Sequence, residues 1–282
     1  MIKFIIISRR KPGWSRERFF YEWAFIHVSL MLHTAPSMAR FRRYVQHFGN
    51  RDIADNYRVL PKPEMDWESY AEHWLEKFEF KHHPDYTEQM QPHSFSDSAM
   101  EIFFMEGETV FQRADFHSGG VKLIHRLQKQ QGQSKEEFQR YWREEHAPKV
   151  VEALKPLGLR KYEIDLPYEF DVESFRESRR GTLFGKAVLA EADGVEELWF
   201  DSLEDAVRLG SDPDLGELIG GSLANFVDVK CSYSMFVNER VAFDFVTPEE
   251  LSPMPAVLDP NSLEARVFKT GRPYHEPRFE SE

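Results

Sequence analysis

At 282 residues the chain is long enough for about two domains of ordinary size, and a hydrophobic content of 41% with 24 Phe and six Trp can fill a real core. A formal charge of −12 repels phosphate backbones, so no nucleic-acid partner is expected. The one cysteine, Cys231, closes no internal disulfide and fits a reducing cytoplasm, and the apolar run Phe4–Ile7 is too short for a signal peptide or a membrane span.

In chain order, Phe4–Arg9 reads as a buried strand. Gly13 and the N-capping Ser15 then open a helix that carries Phe19, Trp23 and His27 at spacing four, on one stripe. A second strand is expected near Phe41–Phe48. Gly49–Met65, with Pro61 and Pro63, reads as a polar insertion forming a long loop beside the first copy. Strands near Ser69–Leu75 and Glu101–Met105 follow. The series then restarts: strand Leu123–Gln128, cap Ser134, helix stripe Phe138, Trp142, His146, and strands near Leu159–Leu166 and Val195–Phe200. Asp201 or Ser202 caps a helix through Leu203, Ala206 and Val207, and a last strand runs near Val229–Val237. From Thr247 onward, six prolines prevent helix and sheet alike, so the tail is expected to be an arm.

The restart is a duplication. Lys3–Leu30 lies over Lys122–Lys149 without a gap, and 8 of 28 positions are identical, including Lys3/Lys122, Trp23/Trp142 and His27/His146. Chance gives about one or two. Further on, Arg43-Tyr44 answers Lys161-Tyr162, Glu72-His73-Trp74 answers Glu197-Leu198-Trp199, Phe95-Ser96-Asp97 answers Phe226-Val227-Asp228, and Glu108 answers Glu239. The expected fold is α+β: tandem ferredoxin-like βαββαβ units whose bare sheet faces bury each other as an intrachain dimeric α+β barrel. The boundaries are 1–112 for copy one, 119–241 for copy two and 242–282 for the proline-rich arm.

Gly132-Gln-Ser134-Lys-Glu-Glu-Phe138, followed by Tyr141-Trp142 and His146-Ala-Pro148, resembles the first-helix signature of the EthD family. Gly194 to Ser202 resembles its third strand and helix entry, and Phe226-Val-Asp228 the segment before its last strand. The second copy matches from Lys122 to Glu239. The first matches more loosely and lacks the Ala-Pro pair after His27. The resemblance implies the dimeric α+β barrel superfamily. That superfamily includes cofactor-free dehydratases and cyclases of polyketides, quinone-forming monooxygenases, lactone isomerases and haem enzymes.

His146 and His27 are the clearest chemical candidates. Burial against aromatic walls disfavours a charged imidazole, and a neutral one can take a proton from a carbon acid or phenol. A core histidine bonded to a carbonyl is the plain alternative. Tyr162 and Tyr44 recur on the second strand, where a phenol could hold an oxyanion or simply pack across strands. His125 and Arg126 stand where copy one has Ile6 and Ile7, which points to copy two as the active half, with an edge or rim position in contact with water as the plain alternative; being adjacent on a strand, only one of them faces a given pocket. Phe138, Trp142 and Trp199 are candidate substrate walls, with core packing as the alternative. Asp97 and Asp228 read as loop braces.

His73, His82, His83, His93 and His117 crowd copy one without metal-ligand spacing, so no metal is expected, and no glycine-rich loop supports a nucleotide. The expected function is a cofactor-independent lyase, dehydratase or isomerase working by acid/base catalysis on an aromatic or polyketide-like small molecule. The alternatives are a haem- or oxygen-using oxidoreductase and a non-catalytic binding protein. No membrane partner is expected; a homodimer is possible.

Overall fold

The computed structural model describes residues 1–33, 41–50, 53–78, 96–181 and 183–246. Strand β1 (Ile2–Arg10) shows how one sequence pattern serves two faces. Ile2, Phe4 and Ile6 pack outward under the first helix with Phe19 and Trp23, whereas Ile5 and Ile7 join a core drawn from both copies. The same alternation recurs in β5 (Gly120–Leu127): Leu123 and Leu127 face the helices of the second copy and Ile124 faces inward.

The remaining strands are β2 (Phe41–Gly49), β3 (Ser69–Leu75), β4 (Ser96–Gln112), β6 (Leu159–Pro167), the two-residue β7 (Val188–Leu189), β8 (Gly194–Phe200) and β9 (Tyr233–Asp244). Eight of the nine described strands form an antiparallel barrel in the order β1-β3-β2-β9-β5-β8-β6-β4, closed by pairing of β4 with β1; β7 adds to β4 in parallel. Closure leaves those eight strands without a free edge. Each half contributes four strands in corresponding order, β4-β1-β3-β2 and β9-β5-β8-β6. The stretch between β3 and β4, where copy one would carry its second helix, lies largely outside the described residues. So do His82, His83, His93 and the tail from Thr247.

Helix α1 runs as an α-helix over Arg16–Tyr21, a π-helical turn over Glu22–His27 and an α-helix over Val28–His33. Helix α2 repeats the plan with Lys135–Tyr141, a π turn over Trp142–His146, and Ala147–Leu154. Ser15 caps the first, and Ser134 forms a reciprocal capping box with Glu137 in the second. The π turns fall at matching places and end on His27 and His146. Such turns are rare and concentrate at functional sites. Spacing of four fits an α stripe equally well, so the sequence gives no sign of them. Helices α3 (Val172–Ser178), α4 (Leu183–Lys186), α5 (Leu203–Ser211) and α6 (Pro213–Ala224) follow; Ser202 caps α5.

Three expectations are corrected. The insertion after β2 lies against the second copy, not beside the first: Ile53, Val59 and Leu60 pack into the core under α2, α5 and α6. The last strand of copy two starts at Tyr233, because Asp228 braces a turn by accepting from the Lys230 and Cys231 amides at 3.0 and 3.3 Å. The pairing of Glu108 with Glu239 is out of register by one. Lys3 faces Met105 and Lys122 faces Val237, so the counterpart of Glu239 is Gly107. A one-residue slip exchanges faces. Glu108 accordingly points outward to Arg143 at 2.9 Å, while Glu239 points into the barrel, 3.1 Å from His47.

The barrel interior is apolar at one end, with Ile5, Ile7, Ile124, Val195 and Met235, and charged at the other. Lys3 reaches Glu163 and Asp165 of the other copy at 2.7 and 2.8 Å, and Lys122 reaches Glu72 and Glu197 at 2.8 Å each. Burial disfavours both ammonium groups, but Asp165, Glu163 and Glu197 around Lys3, and Glu197, Glu72 and Glu239 around Lys122, outweigh it and hold both pKa values above the ordinary range. Burial, with Glu197 and Glu163 nearby, pushes Asp165 well up despite Lys3.

Gly194 shows how closely helix and sheet meet: a Cβ there would overlap the Trp142 ring. That ring is fully buried and hydrogen-bonded, so it cannot swing away. Gly194→Ala is expected to cost about 1–3 kcal/mol by overpacking, measured by urea unfolding; a neutral result would show that the ring moves freely.

Candidate functional site

The β5–β8 ladder places His125 opposite Glu196 on the helix-facing side of the barrel. Glu196 Oε2 accepts from His125 Nδ1 at 2.7 Å, and Glu196 Oε1 accepts from the Tyr162 hydroxyl. His146, at the end of the α2 π turn, brings Nε2 to 3.2 Å from Glu196 Oε1 and Nδ1 to 2.9 Å from Ser222 Oγ on α6. Trp142 Nε1 donates to Tyr162 Oη at 2.9 Å. His125, His146, Tyr162 and Glu196 have no exposed surface. Burial alone would raise the Glu196 pKa, but His146 and His125 outweigh it and hold Glu196 well below the ordinary carboxylate range. The Tyr162 phenol is pushed far up by burial and by the Glu196 charge, so it stays protonated.

With Nδ1–H donated to Glu196, His125 keeps the Nε2 lone pair for chemistry. Among the described residues that buried nitrogen has no hydrogen-bond partner. A carboxylate that fixes one imidazole nitrogen and leaves the other free is the arrangement of a general base. His146 Nε2, though near Glu196, also lies off the hydrogen-bond direction.

Glu196, the centre of the cluster, is absent from the residues that sequence reasoning singles out. Its signal is the adjacent pair Glu196-Glu197 in an otherwise apolar strand. Adjacent carboxylates point to opposite faces, and each needs a partner when buried.

The other candidates fall elsewhere. Phe138 is fully buried against Trp142 and Phe226. Arg126, one residue after His125, turns to the other face and donates to the Glu191 and Cys231 carbonyls at 2.9 and 3.2 Å. Trp199 lies inside the barrel, donating to Glu239 at 2.8 Å beneath the Lys122 ammonium. His117 is exposed beside the Asp115 carbonyl. Among the described residues no group of three or more His, Cys, Asp or Glu side chains is arranged to hold a metal.

Copy one keeps half of the cluster. Trp23 Nε1 donates to Tyr44 Oη at 2.7 Å, and His27 stands edge-on to Tyr44 at 6.0 Å. Ile6 and Ala71, paired across β1 and β3, take the places of His125 and Glu196. Without that carboxylate, burial and the neighbouring His73 bring His27 down to about 3, and burial brings His73, stacked on Tyr44, down to about 4.

Both histidines lie below the unfolded value of 6.5. Between that value and the folded ones, the unfolded chain binds protons that the folded chain refuses. Stability therefore falls as pH drops through this window. Glu196 adds stability above the unfolded carboxylate value of about 4.3 and loses it below. The urea midpoint is expected to decline from about pH 6.5 to about pH 4, and His73→Leu, the residue copy two carries at this place, is expected to flatten that decline. An unchanged slope in His73→Leu would contradict the assignment.

A family model described as EthD domain matches residues 11–101 and again 130–230. The chain belongs to the EthD family. No curated protein matches it. Among solved structures, an anthrone oxidase-like protein superposes on this EthD chain with a TM-score of 0.50 at 12% identity, covering 87% of this chain and 95% of that one. A protein from Lactobacillus acidophilus NCFM named as a candidate monooxygenase gives a TM-score of 0.42 at 10% identity, covering 86% and 94%. At such identities the likeness to the first is one of fold. Among the described residues, no helix is long and apolar enough to cross a membrane.

Proposed function

We propose that this EthD protein is a small-molecule enzyme whose second copy abstracts a proton from an acidic C–H or phenolic O–H of an aromatic or polyketide-like substrate. The base is His125, oriented by Glu196. Tyr162 holds that carboxylate by a hydrogen bond, His146 stands beside it at 3.2 Å, and no cofactor takes part in the step. The observation that carries the reading is the 2.7 Å bond from His125 Nδ1 to a fully buried Glu196, with Nε2 left unpartnered. Burial strengthens such a dyad because it keeps bulk solvent away from the pair. Proton return at another position makes the reaction an isomerisation, and loss of a leaving group makes it a dehydration. We also read each half as a ferredoxin-like unit, the first retained to close the barrel. The exposed, unpaired Cys231 supports a reducing, cytoplasmic setting.

The second reading is oxygen-dependent: the anion left by proton abstraction is oxidised by dioxygen. The barrel shared with the anthrone oxidase-like protein motivates it. One assay addresses both. Anthrones, β-diketones and hydroxyarenes are incubated in D₂O with the wild type and with Glu196→Gln, and deuterium incorporation and oxygen uptake are followed. The proposal expects incorporation by the wild type that is lost in Glu196→Gln. Oxygen uptake lost in the same variant would select the second reading. Equal rates in both proteins would refute the site.

A further inference from the structure

One cavity gathers cations in this acidic chain. It measures about 430 Å³, a size usual for small-molecule sites, and lies where β1 and β2 end and β9 begins, roofed by the insertion after β2. Arg10, Arg16, Arg58 and Lys62 line it together with Asp66; its half-buried apolar wall is Pro63 and Met65, with Trp67 and Phe236 buried behind. Arg10 is engaged by Glu68 at 2.9 Å, Arg16 by the Gly49 carbonyl, and Lys62 by Asp55 at 3.5 Å on the exposed rim.

Arg58 is held differently. Its side chain is 6% exposed, and the carboxylate facing it among the described residues, Asp55, stands 3.9 Å away and is itself 66% exposed. Nη1 donates to the Ser234 carbonyl at 2.8 Å and Nη2 to the Ile53 carbonyl at 3.4 Å, while Nε has no hydrogen-bond partner. A buried guanidinium whose short hydrogen bonds go to neutral carbonyls, with the Ser234 hydroxyl at 3.5 Å and the exposed Asp55 carboxylate 3.9 Å away, keeps a charge that burial makes costly. The fold nevertheless builds this position. Gly210 on α5 lets the Tyr57–Arg58 backbone press against the helix, where any Cβ would overlap it, and the guanidinium sits 5.0 Å from the Phe236 ring centre.

We infer that this cavity is a binding site for a small organic anion, an arene carboxylate whose charge is taken by Arg58 and whose ring packs on Pro63 and Met65. The planar guanidinium fork matches a carboxylate, and the Pro63 and Met65 wall, with its polarizable thioether, matches an arene. Ser234, which borders the cavity, is the ladder partner of His125, so the two sites share a wall. The binding site stands whether or not His125 turns over a substrate.

The test is a fluorine NMR titration of the full chain with 4-fluorobenzoate. Saturable binding is expected, weakened about tenfold or more in Arg58→Met. Lys62→Glu, on the exposed rim, leaves the fold untouched and is expected to weaken binding a few-fold at low salt, less so at high salt. If Arg58→Met does not fold, Lys62→Glu decides. Absence of saturable binding, or binding unchanged in the folded variants, overturns the inference. Displacement by inorganic phosphate of higher affinity overturns the arene carboxylate in favour of a phosphate.

Discussion

His125→Gln is expected to lower proton-transfer turnover about a hundredfold or more, the usual scale for loss of a general base, while the chain stays folded. The Gln amide can still donate to Glu196, so the buried carboxylate keeps a partner. What disappears is the basic nitrogen. His146→Gln is expected to cost less, about tenfold, because His146 acts on Glu196 and Ser222 rather than on the reacting proton. His27→Gln is expected to leave turnover unchanged, since copy one lacks both the strand histidine and the carboxylate. Steady-state rates on a substrate found by deuterium incorporation, with melting temperatures alongside, check all three. If His146→Gln inactivates and His125→Gln is nearly silent, the base is the histidine that the helix stripe points to. If both only lower the melting temperature, the cluster braces the core.

The largest stability effect is expected inside the barrel. Lys122 Nζ lies within 2.8 Å of Glu72 and Glu197 and 3.5 Å of Glu239, and it has no exposed surface. Lys122→Met leaves those carboxylates buried without their shared cation. The expected loss is about 3–5 kcal/mol, a large part of the stability of an ordinary domain. Adding Glu197→Gln to Lys122→Met is expected to recover part of the loss, because one of the carboxylates left in excess is neutralised, although Glu197 keeps Lys3 at 3.3 Å. Urea unfolding at neutral pH measures both. A loss below about 1 kcal/mol for Lys122→Met would mean that water or counterions already reach the interior.

Much of the fold was legible because duplication prints it twice. Lys3/Lys122 and Glu72/Glu197 are identical between the copies, and the strand registers set them at equivalent places: Ile5 faces Glu72 and Ile124 faces Glu197. A lysine repeated within an apolar strand was the sign of the buried charge cluster. The aromatic stripe, the serine caps and the Tyr44/Tyr162 pair were readable from spacing alone. Glu196 was not, because its meaning depends on His125 across one ladder and His146 across the helix–sheet gap. The destination of the insertion was equally hidden. It crosses to the second copy because barrel closure sets β2 beside β9, a pairing between residues about 190 apart in the chain.

The central claim is that Glu196 holds His125 in one tautomer with Nε2 open. Ring-nitrogen NMR of ¹⁵N-histidine-labelled protein, at a pH where the His125 ring is neutral, tests it directly. The expected spectrum shows His125 protonated at Nδ1 and bare at Nε2, with this preference lost in Glu196→Gln. A neutral His125 protonated at Nε2, or one whose ring signals do not respond to Glu196→Gln, would contradict it.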